Sequence, residues 1–194
     1  MNRAADVALA SLGLLVTSPL LAAGALAVKL QDGGPVLYRQ RRVGRNGEEF
    51  ELLKLRTMVV GAEKLGAGYA VDQGDPRITR AGRILRRLSI DELPQLWNVV
   101  RGDMSVIGPR PTLRYQVERY DERQRRRLEV KPGITGWAQI HGRAAIPWED
   151  RIELDVWYVE HRSPRVDLEI LARTPLALFS GTYKGTTGGW SPSG

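Results

Sequence analysis

The sequence predicts an α+β fold, predominantly helical, with one small β-hairpin and several amphipathic helices suited to an interface. Three observations lead there. An uncharged apolar run extends from Val7 to Val28. Two short segments of alternating residues flank Asn46-Gly47, a dipeptide that favours hairpin turns. Later stretches, among them Arg77 to Leu88, Trp148 to Glu160 and Val166 to Tyr183, repeat apolar residues at helical spacing. The 194 residues suffice for one domain with a real core, and the absence of cysteine excludes disulfides and thiolate sites.

Asp6 and Lys29 bracket the first segment. Roughly 22 residues rising about 1.5 Å each span ~33 Å, just enough to cross a bilayer once. Ser18-Pro19 interrupts it midway. Proline removes a helical hydrogen bond and crowds the preceding turn, at about 3 kcal/mol. Ser18 can bond back to a carbonyl of that turn, which favours a bend. Arg3 precedes the run, while Lys29, Arg39, Arg41 and Arg42 follow it, so flanking charge gives no clean inside and outside. A helix that enters, bends and leaves on one face fits this pattern. A spanning helix with a tolerated proline also fits. So does a signal peptide ending near Ala25-Leu26-Ala27, although Asp6 spoils a basic leader.

Val36 to Gln40 and Phe50 to Arg56 read as the hairpin strands. In the second, Lys54 and Arg56 alternate with Leu53 and Leu55, so a period of two places both cations on one face. Gly61 to Pro76, rich in Gly and Asp, reads as a loop. Arg77 to Leu88 reads as a helix buried along Ile84, Leu85 and Leu88. Ser89 to Val100 follows as a second helix, then a turn-rich loop from Arg101 to Pro111. Thr112 to Glu129 reads as one exposed charged helix, and Lys131 to Gly142 as a loop or short strand. Trp148, Ile152, Trp157 and Tyr158 suit either a membrane interface or a core. The segment 185–194 is expected to be disordered.

The formal net charge of +7 and a pI near 10.0, carried mostly by arginine, suit partners bearing phosphate: nucleic acid, anionic lipid or nucleotides. His141 and His161 are the sole histidines, too few for a zinc pattern, so hard oxygen ligands point to magnesium or calcium. The sharpest local feature is Ser89-Ile90-Asp91-Glu92-Leu93-Pro94-Gln95-Leu96. Proline is comfortable near a helix start, and Ser89 with Glu92 spells a capping box. Asp91 and Glu92 are then expected in a first helical turn, where the macrodipole keeps carboxylates ionised and attracts phosphate. Magnesium would bridge acid to phosphate, with Lys54, Arg56 and Arg110 neutralising the rest. A carboxylate so shielded can attack phosphorus. In Gly108-Pro109-Arg110-Pro111 two prolines fix the backbone of an arginine, whose guanidinium can clamp phosphate bidentately. Taken singly, each motif is also ordinary helix or turn chemistry.

Together, and in order, these pieces resemble the monotopic phosphoglycosyl transferases, also called bacterial sugar transferases. The matching strings include Ser18-Pro19, Gly33-Gly34-Pro35-Val36, Arg42-Val43-Gly44, Lys54-Leu55-Arg56-Thr57-Met58 and Asp75-Pro76-Arg77-Ile78-Thr79. They continue through Asp91 to Leu96, Gly102-Asp103-Met104-Ser105, Gly108 to Pro111, Lys131 to Gln139 and Glu153 to Tyr158. The resemblance runs from about Asp6 to Leu178 and implies a minimal single-domain form. Residues 1–30 are then a re-entrant membrane helix-break-helix, broken at Ser18 and Pro19. Residues 31–184 form a catalytic domain on the cytoplasmic face of the bacterial inner membrane.

The resemblance further implies that Asp91 is the nucleophile and Glu92 its partner at a magnesium site. Arg110 clamps phosphate, with Lys54 and Arg56 nearby. Ping-pong chemistry carries a phospho-sugar from a UDP-sugar, of which an N-acetylated amino sugar is the expected kind, through Asp91 to polyprenyl (undecaprenyl) phosphate. UMP is released, and the step opens glycoconjugate biosynthesis. His141 stands where the family usually shows Asn. Two other readings compete: a membrane-tethered nucleic-acid-binding module, for which no recognition motif is present, and a catalytically silent scaffold. Intact Asp91, Glu92 and Arg110 argue against the scaffold.

Overall fold

In the computed structural model, which describes residues 1–65, 74–142 and 146–179, the chain opens with one 30-residue helix, α1 (Arg3–Asp32). Asn2 caps it by accepting a hydrogen bond from the Ala5 amide at 2.9 Å. Gly33, at a φ of 70° that glycine tolerates best, ends it with its N–H on the Lys29 carbonyl. Pro19 lies inside this helix, which continues through Ser18 and Pro19. The break expected at Ser18 and Pro19 does not end the helix. Pro19 has no N–H to give the Leu15 carbonyl, and the Ser18 hydroxyl donates to that oxygen instead, at 2.8 Å. The proline is satisfied locally, and tertiary contacts on both sides of it hold the helix.

Those contacts follow one stripe. Ala10 packs with Leu52, Val99 and Met104, while Val28 packs with Leu55, Leu85 and Ile90. Gly24 allows close approach, since a Cβ there would lie 2.9 Å from Leu55 Cδ1. Polar bonds fix both ends. Asp6, buried, accepts from the Ser105 hydroxyl and the Val106 amide. Arg3 donates to the carbonyls of Val99 and Val100, and Asp32 accepts from Arg56. The rest of α1 faces outward, with Leu15 and Leu30 72% and 77% exposed, so most of its apolar surface has no protein cover.

Strands β1 (Leu37–Val43) and β2 (Glu49–Leu55) form the hairpin, Tyr38 opposite Lys54 and Arg42 opposite Phe50. Asn46 and Gly47 take positive φ in its turn, as the dipeptide predicts. Helix α2 (Arg80–Arg87) starts at Thr79, whose hydroxyl accepts from the Gly82 amide. It buries Leu85 but leaves Ile84 and Leu88 exposed, against expectation. A short 3-10 turn (Ile90–Glu92) and α3 (Gln95–Arg101) replace the single helix expected over Ser89 to Val100. Asn98, fully buried, accepts from the Leu53 amide and donates to the Glu51 carbonyl, stitching α3 to β2.

Strand β3 (Ser105–Ile107), expected as loop, pairs in parallel with β4 (Gly133–Thr135), which lies in the segment expected as a loop or short strand. The helix expected over Thr112 to Glu129 is instead α4 (Arg114–Val117), α5 (Glu122–Arg125) and a 3-10 turn (Arg126–Glu129). Asp121 and Gln124 make a reciprocal cap that restarts the chain, and Tyr120 and Arg127 turn inward. Helices α6 (Trp137–Ile140), α7 (Trp148–His161) and α8 (Pro164–Phe179) complete the fold. Ile152 and Tyr158 are buried, Trp148 packs on the Val43 cluster and Trp157 stacks on Trp137. That group therefore packs into the protein interior rather than lying free at an interface. The expected tail at 185–194, part of the loop before Pro76 and the last residues of the final predicted helix lie outside the described residues.

Candidate active site

Asp91 and Glu92 sit in the 3-10 turn between α2 and α3. The expected capping box is absent: Ser89 takes a left-handed conformation (φ 54°) and its side chain makes no cap bond. Asp91 is buried, and its Oδ1 has no hydrogen-bond partner. Burial first, then the Glu92 charge beside it, push the Asp91 carboxyl up to about 6, against the weaker pull of Lys54, Arg86 and Arg110.

Glu92 has the opposite fate. Lys54 Nζ donates to its Oε1 at 2.8 Å; Arg110 donates to Oε1 from Nη2 at 2.5 Å and to Oε2 from Nη1 at 3.3 Å. Burial pushes Glu92 up, but Arg110 and Lys54 together outweigh it and hold the carboxyl well below the usual range. Burial lowers Lys54 against the opposing charge of Glu92. Two adjacent acids thus have different characters: Glu92 firmly ionised and cross-linked, Asp91 a poorly stabilised anion at neutral pH. An anion short of partners is a strong nucleophile.

Lys54 reaches this turn from the end of β2. Arg110 reaches it from a loop whose carbonyls are all engaged. Gln139 Nε2 donates to Gly108 O, the Gly133 amide to Pro109 O, Arg127 Nη2 to Arg110 O and Arg42 Nη1 to Pro111 O. The Val43 amide bonds to Thr112 O at 2.8 Å. Arg127 is itself held by the buried Asp155 and by Tyr120. The flanking prolines account for part of this rigidity and the five donors for the rest.

The structure brings Asp91, Glu92, Lys54 and Arg110 together and sends Arg56 elsewhere. Its guanidinium grips both oxygens of Asp32 and the Pro35 carbonyl, tying the end of α1 to the sheet. Arg56 follows the last residue of β2, so the alternation that paired it with Lys54 no longer applies. Three arginines that sequence reasoning did not assign to the site, Arg42, Arg86 and Arg151, lie close enough to act electrostatically on Arg110 or Asp91. Only the position of Arg86, five residues before Asp91, hinted at this. His141 packs on Trp137, its Nδ1 2.8 Å from the Trp137 carbonyl.

Among the described residues no third Asp, Glu or His joins the two acids as a metal donor set. Magnesium is the cation such a pair suits, because it is commonly held by one or two carboxylates with water and substrate phosphate completing its shell. The unpartnered Asp91 Oδ1 is a hard oxygen of the right kind.

The profile of the family described as bacterial sugar transferase matches residues 1–181. The chain is 48% identical over 174 residues to the uncharacterized sugar transferase EpsL of Bacillus subtilis (strain 168), covering 90% of this chain and 85% of that one. It is 43% identical to the UDP-glucose:undecaprenyl-phosphate glucose-1-phosphate transferase of Escherichia coli (strain K12), covering 90% of this chain and 39% of that one. It is 41% identical to the UDP-N-acetylgalactosamine-undecaprenyl-phosphate N-acetylgalactosaminephosphotransferase of Aeromonas hydrophila, covering 93% and 44%. The chain spans less than half the length of the latter two.

Proposed function

The chain belongs to the bacterial sugar transferase family, and from that premise we propose that it moves a phospho-sugar from a UDP-sugar to undecaprenyl phosphate, releasing UMP. It is an enzyme of the polyprenyl-phosphate sugar-1-phosphate transferase class. The observation that carries the mechanism is the asymmetry of the acidic pair: Asp91 buried with an unpartnered Oδ1, Glu92 clamped by two cations.

An Asp91 oxygen attacks the sugar-bearing phosphorus. A new P–O bond forms, the bridging P–O bond breaks, and its electron pair leaves with UMP. The phospho-sugar is then joined to the Asp91 carboxylate as an acyl phosphate, a mixed anhydride. A phosphate oxygen of undecaprenyl phosphate attacks the same phosphorus, freeing Asp91 and giving the lipid diphosphate sugar. Arg110 and Lys54 offset the charge gathered on phosphate, and Glu92 keeps both cations in place. Asp91 and Glu92 would hold magnesium, which supplies Lewis-acid charge neutralisation when bound.

A lipid acceptor explains the exposed face of α1. Both ends of α1 are tied to the catalytic unit, through Arg3 and Asp6 at one end and Asp32 at the other. A helix anchored in this way would have to tear one end free to put its termini on opposite sides of a membrane. This supports a monotopic arrangement in which α1 dips into one leaflet of the inner membrane from the cytoplasmic face. The exposed Ile84, Leu88 and Trp97 extend the apolar surface beyond α1.

The test is UMP release from a panel of UDP-sugars, including UDP-glucose and UDP-N-acetylgalactosamine, with undecaprenyl phosphate in nanodiscs. Release should require magnesium and vanish in Asp91→Asn, and the panel identifies the sugar. Undiminished release from Asp91→Asn, or none from the folded wild type with any sugar, overturns the proposal.

A further inference from the structure

Resting on that transfer reaction, we propose that Arg42 and Arg110 form a second phosphate-binding position, beside the phosphorus that Asp91 attacks. Arg42 lies on β1, on the half-buried face it shares with Tyr38 and Gln40. The Gln40 side-chain oxygen accepts from its Nε at 3.0 Å and its Nη2 at 2.6 Å, while Pro111 O accepts from Nη1. Every one of these acceptors is neutral. Among the described residues no carboxylate lies within ion-pair distance of Arg42, whereas Arg110 and Arg127 each have one.

The neighbouring cation makes this costly. Burial lowers the Arg42 guanidinium to about 10, and the charge of Arg110 adds to the effect. Two guanidinium groups near enough to feel each other's charge, Arg42 half-buried and Arg110 exposed, repel, and an anion placed between them relieves this. Gln40 fixes the plane of one and Glu92 fixes the other. Neither can swing away freely. A receptor already rigid before its ligand arrives loses little entropy on binding a phosphate.

The reaction needs such a position twice. UMP leaves from the side opposite Asp91. In-line attack on the Asp91 acyl phosphate brings the acceptor phosphate to that same side. One anion position can therefore receive the departing UMP phosphate in the first half-reaction and the incoming lipid phosphate in the second.

Arg42→Gln and Arg42→Lys test this with steady-state kinetics on both substrates and with UMP binding. Arg42→Gln should raise KM for the UDP-sugar and for undecaprenyl phosphate by about tenfold or more, the scale of one lost charge-assisted hydrogen bond. Product inhibition by UMP should weaken in parallel, and Arg42→Lys should fall between. A purely structural role would lower kcat through loss of folded enzyme and leave both KM values unchanged, which overturns the proposal. A rise in one KM alone assigns the position to that substrate's phosphate and overturns the sharing.

Thermal-shift titration of Asp91→Asn and of Asp91→Asn with Arg42→Gln, using UMP and inorganic phosphate as probes, reads the position without turnover. Weaker binding on loss of Arg42 supports the site even if the covalent mechanism fails. Equal binding in the two proteins overturns it even if that mechanism stands.

Discussion

Replacing Asp91 with Asn should make the metal-free protein more stable, although it removes the proposed nucleophile. Burial holds the Asp91 carboxyl near 6 against an ordinary value of 3.8. A raised carboxyl means that the folded state binds more protons than the unfolded chain between about pH 4 and 6. Stability therefore falls as pH rises through that window and levels above it. The displacement of roughly two pH units corresponds to about 3 kcal/mol lost at pH 8. Asn avoids this cost but leaves a buried amide nitrogen short of a partner, at about 1 kcal/mol or more. The net gain at pH 8 is about 1–2 kcal/mol, or roughly 2–8 °C in Tm for a chain of this size.

The measurement is thermal unfolding of both proteins in detergent with chelator, from pH 4 to pH 8. The stability difference should grow from pH 4 to pH 6 and then hold constant. The pH dependence of the difference reports Asp91, because Arg110 and Lys54 hold the Glu92 carboxyl well below the usual carboxylate range. A variant no more stable than wild type at pH 8, with a difference flat across pH, refutes the argument. Added magnesium should shrink the gain, because a cation on Asp91 Oδ1 stabilises the ionised wild type.

Other substitutions probe the scaffold. A Cβ at Gly82 would lie 2.0 Å from the Thr57 carbonyl oxygen, so Gly82→Ala must shift α2 against backbone and should cost several kcal/mol, read by denaturant unfolding. Asp155→Ala leaves Arg127 as an uncompensated buried charge; about 3–5 kcal/mol should be lost, and UMP release per folded enzyme should fall as the Arg110 carbonyl loses its support. Single cysteines at Asn2 and Gly189 should both be labelled from the cytoplasmic side, and opposite sides would sink the monotopic arrangement.

The elements that were legible in the sequence are those with local causes. The apolar run, the hairpin at Asn46-Gly47 and the two last helices follow from periodicity and turn chemistry, which act over a few residues. The helix expected over Thr112 to Glu129 failed because Asp121 restarts the chain, a local signal masked by a continuous charge pattern. β3 was missed, and β4 left open between loop and short strand, for a different reason: three-residue parallel strands become strands only when a distant partner arrives.

The site divides the same way. Motifs along the chain named Asp91, Glu92, Lys54, Arg56 and Arg110 as candidates and, through their resemblance, the family; the structure brings four of those five side chains together. Their charge states were not legible. Adjacent acids in one turn look alike in sequence, and only packing decided that Glu92 would meet two cations while Asp91 Oδ1 would meet none. Tertiary contact also turned Arg56 to Asp32 and placed Arg42 beside Arg110. The sequence by itself determined which groups were available, since that depends on identity and local spacing. The tertiary structure decided which stayed charged and paired, since Coulomb and desolvation energies depend on distances and burial that the folded chain alone defines.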